Sequence, residues 1–231
     1  MNWREFFDGD HAIYVSQRHK QLHAKIVGRD ILALIPSRDA HLLDHGCGEA
    51  LYAESLAAAC GRLWLCDSGP TLRAQLAARM VNRPNVSVVA PETVEIAIPD
   101  DSLDLVTVIS LAQYLKKPEL SELMGLWLAK LKPGGILVIG DVIPPDLSAA
   151  TDARALLSFA WKGGFLWAAL AGLAKTALSD YRKIRAELGL TSWTAAELDK
   201  ALHEAGFSAV RRRDNIGHNS ARMTFIAQKR V

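Results

Sequence analysis

HLLDHGCGEA, residues 41–50, is the stretch whose reading decides the fold. Leu42 and Leu43 suit a strand buried on both faces of a parallel sheet. Gly46 and Gly48 permit the positive φ and close backbone approach that a side chain would block. From Glu49 to about Cys60 the pattern becomes helical. A strand, a glycine turn and a helix make a ligand cradle, because the helix opens with unpaired N–H groups and the positive end of its dipole.

The spacing separates two kinds of cradle. A dinucleotide fold places a third glycine at the last position of G-x-G-x-x-G, and here that position is Leu51. Asp44, Gly46 and Gly48, with Ala50 in place of the last glycine, instead resemble the D-x-G-x-G-x-G first motif of class I S-adenosylmethionine-dependent methyltransferases. A glycine turn alone also fits an ordinary strand-to-helix corner, so the segments C-terminal to it carry the weight.

RLWLC, residues 62–66, reads as a second strand ending in Asp67. An acid at that tip is placed to accept two ribose hydroxyl hydrogen bonds. It is equally placed to cap the helix that Pro70 and Thr71 open. NVSVVA, residues 85–90, supplies a third strand, and the PETVEIAIPDDSLDLV after it resembles the family segment that holds adenine, which puts Glu92 and Thr93 at the base, with Glu95 the alternative. LDLVTVIS, residues 103–110, is a central strand delivering Ser110, Gln113 and Tyr114 to the carboxyl edge, where open α/β sheets bind ligands. The proline-containing motif with which the family's amino methyltransferases grip a nucleobase amine is absent there. Pro118 to Leu131 reads as a helix, and LKPGGILVIGD after it matches the family's approach to the fifth strand, ending in Asp141.

The resemblance implies an α/β fold: a Rossmann-like, seven-stranded, mostly parallel sheet with helices on both faces and a final antiparallel hairpin. It is closest in kind to the small-molecule, ubiquinone-type or methyltransferase type 11-like group. The implied cofactor is S-adenosyl-L-methionine, held by Asp44, Gly46, Cys47, Gly48, Asp67, Ser68, Glu92, Thr93 and Ser110. The chain divides into an N-terminal helical cover (1–38), a cofactor-binding core (39–142), a helical lid or insertion (143–190), and a last helix with C-terminal hairpin (191–231). Other readings of the whole are a cofactor-binding regulatory or scaffold protein without turnover and a nucleic-acid methyltransferase.

Bulk properties narrow the partners. A chain of 231 residues, half of them hydrophobic, builds one sizeable α/β domain. A formal net charge of +2 gives no general attraction to polyanions, and the run Arg211, Arg212 and Arg213 reads as a solvated strand or turn. Cys47, Cys60 and Cys66 show no disulfide or zinc spacing, and no metal site is expected. The first residues, MNWREFFDGDH, lack the basic start and apolar core of an export signal, so the expected location is cytoplasmic.

Three further segments bear on the acceptor. Tyr14 to Ile35 reads as a helix with apolar positions Leu22, Ile26, Ile31, Leu32 and Ile35. The resemblance implies that such an N-terminal segment folds over the cofactor, which makes Tyr14, Arg18 and His19 candidates for lining the site, with surface polar residues the plainer reading. FAWKGGFLWAALAGLAKTAL, residues 159–178, is strongly apolar but interrupted by Lys162 and Lys175, so it does not read as a bilayer span. Its first reading is a lid over an apolar small-molecule acceptor, and Trp161, Phe165 and Trp167 would serve this reading and the two that follow alike. The second is a peripheral membrane contact at the inner face, and the third a homodimer contact. Thr194 to Glu197 reads as a capping box starting the last helix, before strands at 208–211 and 223–227. The loop between those strands holds His218, Asn219 and Arg222. No residue is assigned as the base; the candidates are His218, Tyr14, His19 and Tyr114, with an exposed loop histidine the plainer reading of His218.

Overall fold

The computed structural model describes Trp3, Asp8, residues 14–178 and residues 190–230. The sheet has seven strands: β1 (His41–His45), β2 (Arg62–Cys66), β3 (Val86–Val89), β4 (Leu103–Ile109), β5 (Leu131–Val142), β6 (Phe207–Arg211) and β7 (Met223–Lys229). Their spatial order is β3-β2-β1-β4-β5-β7-β6. The first five run parallel, and β7 lies antiparallel to both β5 and β6. The Rossmann-like expectation, including the last antiparallel pair, is met.

Among the described residues the helices are α1 (Gln17–Leu32), α2 (Ala53–Ala59), α3 (Pro70–Arg79), the single turn α4 (Val94–Ala97), α5 (Lys117–Lys130), α6 (Ala149–Gly163), α7 (Leu166–Leu178) and α8 (Ala195–Glu204). Both sheet faces are covered. Leu43, Val106 and Leu137 pack on one side with Trp127, Phe207 and Phe225, while Leu42, Leu63 and Leu105 pack on the other with Ile31, Leu56 and Leu76. Alternate residues of one strand thus feed two cores, which is why the central strands are nearly continuous apolar runs.

Several boundaries differ from the periodicity. Ser16 caps α1 by accepting from the His19 N–H at 3.2 Å, so the helix starts after Tyr14, and it ends before Ile35. Its buried residues are His19, Val27, Gly28 and Ile31, a face displaced from the expected one. Gly28 is there because the chain crosses closely: a Cβ at that position would lie 2.5 Å from Cβ of Tyr52. Leu131 is the first residue of β5 rather than the last of α5. The helix after the glycine turn begins at Ala53, four residues later than its composition suggests. Arg79 explains the delay, because its Nη2 donates to the carbonyls of Glu49 at 2.6 Å and Ala50 at 2.7 Å and holds residues 49–52 as turns.

At α8 the expected capping box is present: Thr194 Oγ1 accepts from the Glu197 N–H at 3.1 Å, and Glu197 accepts from the Thr194 N–H at 2.8 Å. The start of α3 is capped over a long range. Asp8 Oδ1 accepts from the N–H groups of Thr71 at 2.8 Å and Leu72 at 3.3 Å. Asp67 is therefore released from the capping duty that its sequence position allows.

Candidate active site

β1 and β4 are neighbours, yet the chain leaves β1 for β2 on the opposite side. This is the topological switch point of an open α/β sheet, and ligands bind in the crevice there. The glycine turn lies over it. Gly46 and Gly48 take φ of +77° and +55°, and the non-glycine Ala50 takes +38°. The N–H groups of Gly46 and Cys47 donate to the Cys66 carbonyl at 2.8 and 3.0 Å, tying the turn to the tip of β2. The two glycines serve different ends. A Cβ on Gly46 would press on Leu111 at 2.8 Å, whereas one on Gly48 would meet nothing within 4 Å.

The crevice opens into a cavity of about 360 Å³. Gly46, Cys47, Gly48, Asp67, Ser68 and Ser110 line one region of it. Asp67 Oδ2 accepts from the Gly48 N–H and Oδ1 from the Gly69 N–H, both at 2.8 Å. A carboxylate offers about four lone-pair sites, so two remain for a ligand. Ser110, at φ +58°, donates to Asp141 Oδ2 at 2.7 Å.

Three of the sequence-assigned cofactor residues stand elsewhere. Asp44 lies beneath the turn, opposite Thr107 in the β1/β4 register. Its carboxylate accepts from Thr107 Oγ1 at 2.7 Å and Tyr52 Oη at 2.9 Å, so it braces the turn from below. Burial raises its pKa to about 6. Glu92 and Thr93 are exposed, on a 3-10 turn over Pro91–Thr93 in which Thr93 Oγ1 donates back to the Ala90 carbonyl at 2.8 Å. Pro91 and Glu95 instead line a second cavity, which shares Trp3, Gly46, Ser68 and Leu111 with the first.

The other walls of the first cavity are aromatic and histidine-rich. Tyr14, His19, His23, Tyr114, His218 and Arg222 all face it. His218 is therefore not an exposed loop residue: it stacks on Phe159, with centroids 4.8 Å apart, and its Nδ1 lies 3.3 Å from Nδ1 of His23. His19 stacks on Phe165 at 5.2 Å. Burial lowers His19 and His218 to about 4 and lowers His23 as well, so the cluster is neutral at physiological pH. Burial, with Glu49 adding to it, pushes the Tyr14 phenol up to about 12. Burial also raises the Cys47 thiol well above its usual range, which leaves it unreactive. Lys20 of α1 pairs with Glu49 across the glycine turn. Arg18, expected at the site, donates through Nε to the Gly163 carbonyl at 2.7 Å and ties α1 to the end of α6.

Two residues escaped assignment from sequence. His23 gains significance only through a partner 195 positions away. Arg222 donates to Asp141 Oδ2 at 2.7 Å and pairs with Asp152 at 3.4 Å. Asn215 donates to the other oxygen of Asp141 at 3.2 Å, so this acid is committed to structure.

Residues 159–178, expected as a lid, present two different faces. Phe159 and Phe165 turn inward against His19, but Trp161 and Trp167 are 75% and 83% exposed. Both tryptophans lie on the outer side of the α6–α7 hairpin, whose reversal is made by Gly164 at φ +72°. Residues 179–189 of the proposed lid lie outside the described part of the chain. Among the described residues no helix is long and apolar enough to cross a membrane.

Comparison with known proteins agrees with this geometry. Residues 43–139 match a family model described as a methyltransferase domain. No curated protein matches the sequence. Similar solved structures include a SAM-dependent methyltransferase from Methanosarcina mazei, 16% identical, covering 87% of this chain and 97% of that one, with a TM-score of 0.59. The N-methyltransferase NodS from Bradyrhizobium japonicum is 16% identical over 93% and 97%, with a TM-score of 0.56. The [4+2]-cyclase SpnF is 17% identical over 99% and 91%, with a TM-score of 0.60. These likenesses speak to the fold; a cyclase among them shows that the fold by itself does not define a reaction.

Proposed function

We propose that this chain, whose residues 43–139 form a class I S-adenosylmethionine-dependent methyltransferase domain, transfers the methyl group of S-adenosylmethionine to a small, largely apolar acceptor. The observation that carries this reading is one cavity with two kinds of wall. Backbone and acid from the glycine turn and Asp67 line part of it, and Tyr14, Tyr114 and the histidines line another.

The residues fit the donor. The space over Gly48, which a side chain would fill, lets a ligand approach the backbone, and Asp67 keeps acceptor capacity for a ribose diol. When bound, the donor supplies an electrophilic methyl group on a sulfonium sulfur. The protein then has to orient the acceptor in line with that methyl and keep water away, which supplies much of the acceleration. Trp3 stacked on Tyr114, centroids 5.7 Å apart, and the Phe159–His218 stack are rigid walls for a flat or chain-like acceptor. The test is transfer of a tritiated methyl group from the donor to an organic-soluble component of a cell extract. Label that stays in the aqueous phase, or enters nucleic acid, counts against the apolar acceptor.

The outward tryptophans favour a membrane contact for residues 159–178 over the lid reading. Trp161, Trp167 and Leu170 are exposed, with exposed Lys162 and Lys175 on the same two helices. Amphipathic rings with cationic neighbours suit the headgroup region of an anionic bilayer, and an enzyme resting there draws an apolar acceptor from the lipid. Flotation with anionic vesicles tests it; protein that stays at the bottom of the gradient, or sediments as a dimer through this face, sinks it.

A further inference from the structure

His23, on α1, and His218, in the β6–β7 loop, hold their Nδ1 atoms 3.3 Å apart with ring planes 79° to one another. A neutral imidazole carries one N–H. If the two Nδ1 atoms share a proton, the ring that donates it has a bare Nε2, and the ring that accepts it carries its proton on Nε2. Whichever way the bond points, the pair presents one basic nitrogen and one N–H. Both rings line the cavity that also contains Gly48 and Asp67. Resting on the methyltransferase reading, we propose that His23 and His218 form a paired base that takes the proton of a phenolic or enolic hydroxyl on an apolar acceptor, so that methylation falls on oxygen.

The surroundings support a base rather than a charged anchor. Among the described residues, the titratable and charged groups facing the pair are Tyr14 and His19 on the α1 side, Asp141 near the end of β5, Asp152 on α6 and Arg222 before β7. Asp141 is bound by Ser110, Asn215 and Arg222, so it is not free to hold the imidazoles as a charged couple. Burial keeps both rings neutral at physiological pH. A base this weak serves only acidic hydroxyls, because proton transfer becomes more costly as the pKa gap widens. That favours phenols and enols over alkyl alcohols. In the step, the acceptor O–H bond breaks and its proton goes to the bare Nε2. The oxygen lone pair forms the new O–CH3 bond while the CH3–S bond breaks, its electron pair returning to sulfur and cancelling the sulfonium charge. The imidazolium then releases its proton to solvent.

The experiment uses the full chain, tritiated S-adenosylmethionine and three probes: 4-octylphenol, 1-dodecanol and 4-octylaniline. The expected result is transfer to the phenol in preference to the other two. H23N and H218N should each lower kcat roughly a hundredfold, with the KM for the donor unchanged and the double variant no worse than either single one. Nitrogen NMR of the wild type at neutral pH should show two neutral rings of opposite tautomer, which does not depend on any variant folding. Transfer to the aniline but not the phenol, kcat retained in both variants, or two rings of the same tautomer would each overturn the proposal. Failure of the underlying reading is distinct: wild type would then not bind S-adenosylhomocysteine.

Discussion

Asp67 Oδ2 accepts from the Gly48 N–H at 2.8 Å, so the tip of β2 and the glycine turn after β1 are held as one unit. Its other oxygen holds the Gly69 N–H at 2.8 Å, just before α3. The carboxylate that is free to grip a ligand is thus the same group that sets the shape of the cradle. Substitutions here act on ligand binding and on the local turn together.

Ala50 sits at φ +38°, in the left-handed region where a Cβ is strained. Ala50→Gly should stabilise the fold by about 1 kcal/mol, since glycine adopts this conformation without that strain. A higher urea midpoint checks it; a lower one would show that the lost methyl packing outweighs the strain.

Stability should fall on mild acidification. His19, His45 and His218 are lowered by burial to about 4, against an ordinary value of 6.5. Their stabilisation is fully present above 6.5 and is lost as pH drops toward 4, because the unfolded chain takes up protons that the folded one refuses. Each such proton is worth about 1.4 kcal/mol per pH unit. Asp44 works the other way: its pKa, raised to about 6, adds stability at low pH that is lost as pH rises through that value. Three histidines against one acid leave a net loss between pH 6.5 and 4, read from urea midpoints at several pH values. His45→Asn should flatten this slope, provided that the bond from Trp127 Nε1 at 3.2 Å is replaced by the amide oxygen.

Trp161→Ala and Trp167→Ala should each change stability by less than about 0.5 kcal/mol, because both rings are mostly in solvent. The double variant should nevertheless float less with anionic vesicles than wild type. A large drop in thermal midpoint would mean that the rings are covered in solution and would withdraw the membrane contact.

The strands were readable because buried parallel strands leave unmistakable apolar runs, and the Asp44-to-Gly48 spacing marked the turn. What periodicity could not show was direction and distant partnership. Trp161 and Phe165 look alike in composition, yet Trp161 lies on the solvent face of α6 while Phe165, just past the turn at Gly164, points inward. The helix start near Glu49 depends on Arg79, thirty residues away. Asp67 looked like a helix cap or a ribose ligand, and only the position of Asp8 shows that capping falls to another residue. Asp44 matched a motif position but serves Thr107 and Tyr52, since a buried acid on a central strand bonds the hydroxyls that its register neighbour on β4 and the turn after Gly48 bring to it. His218 became a site residue through His23 and Phe159, neither of which is near it in the chain.

That the glycine turn and Asp67 hold the methyl donor is tested most directly by calorimetric titration of S-adenosylhomocysteine into wild type and Asp67→Ala. Losing a charged acceptor of hydroxyl hydrogen bonds costs about 1.5–3 kcal/mol, so the expected result is saturable one-site binding to wild type that weakens at least about tenfold in the folded variant. No binding to wild type, or an unchanged Kd in a variant whose circular dichroism is native, would contradict it.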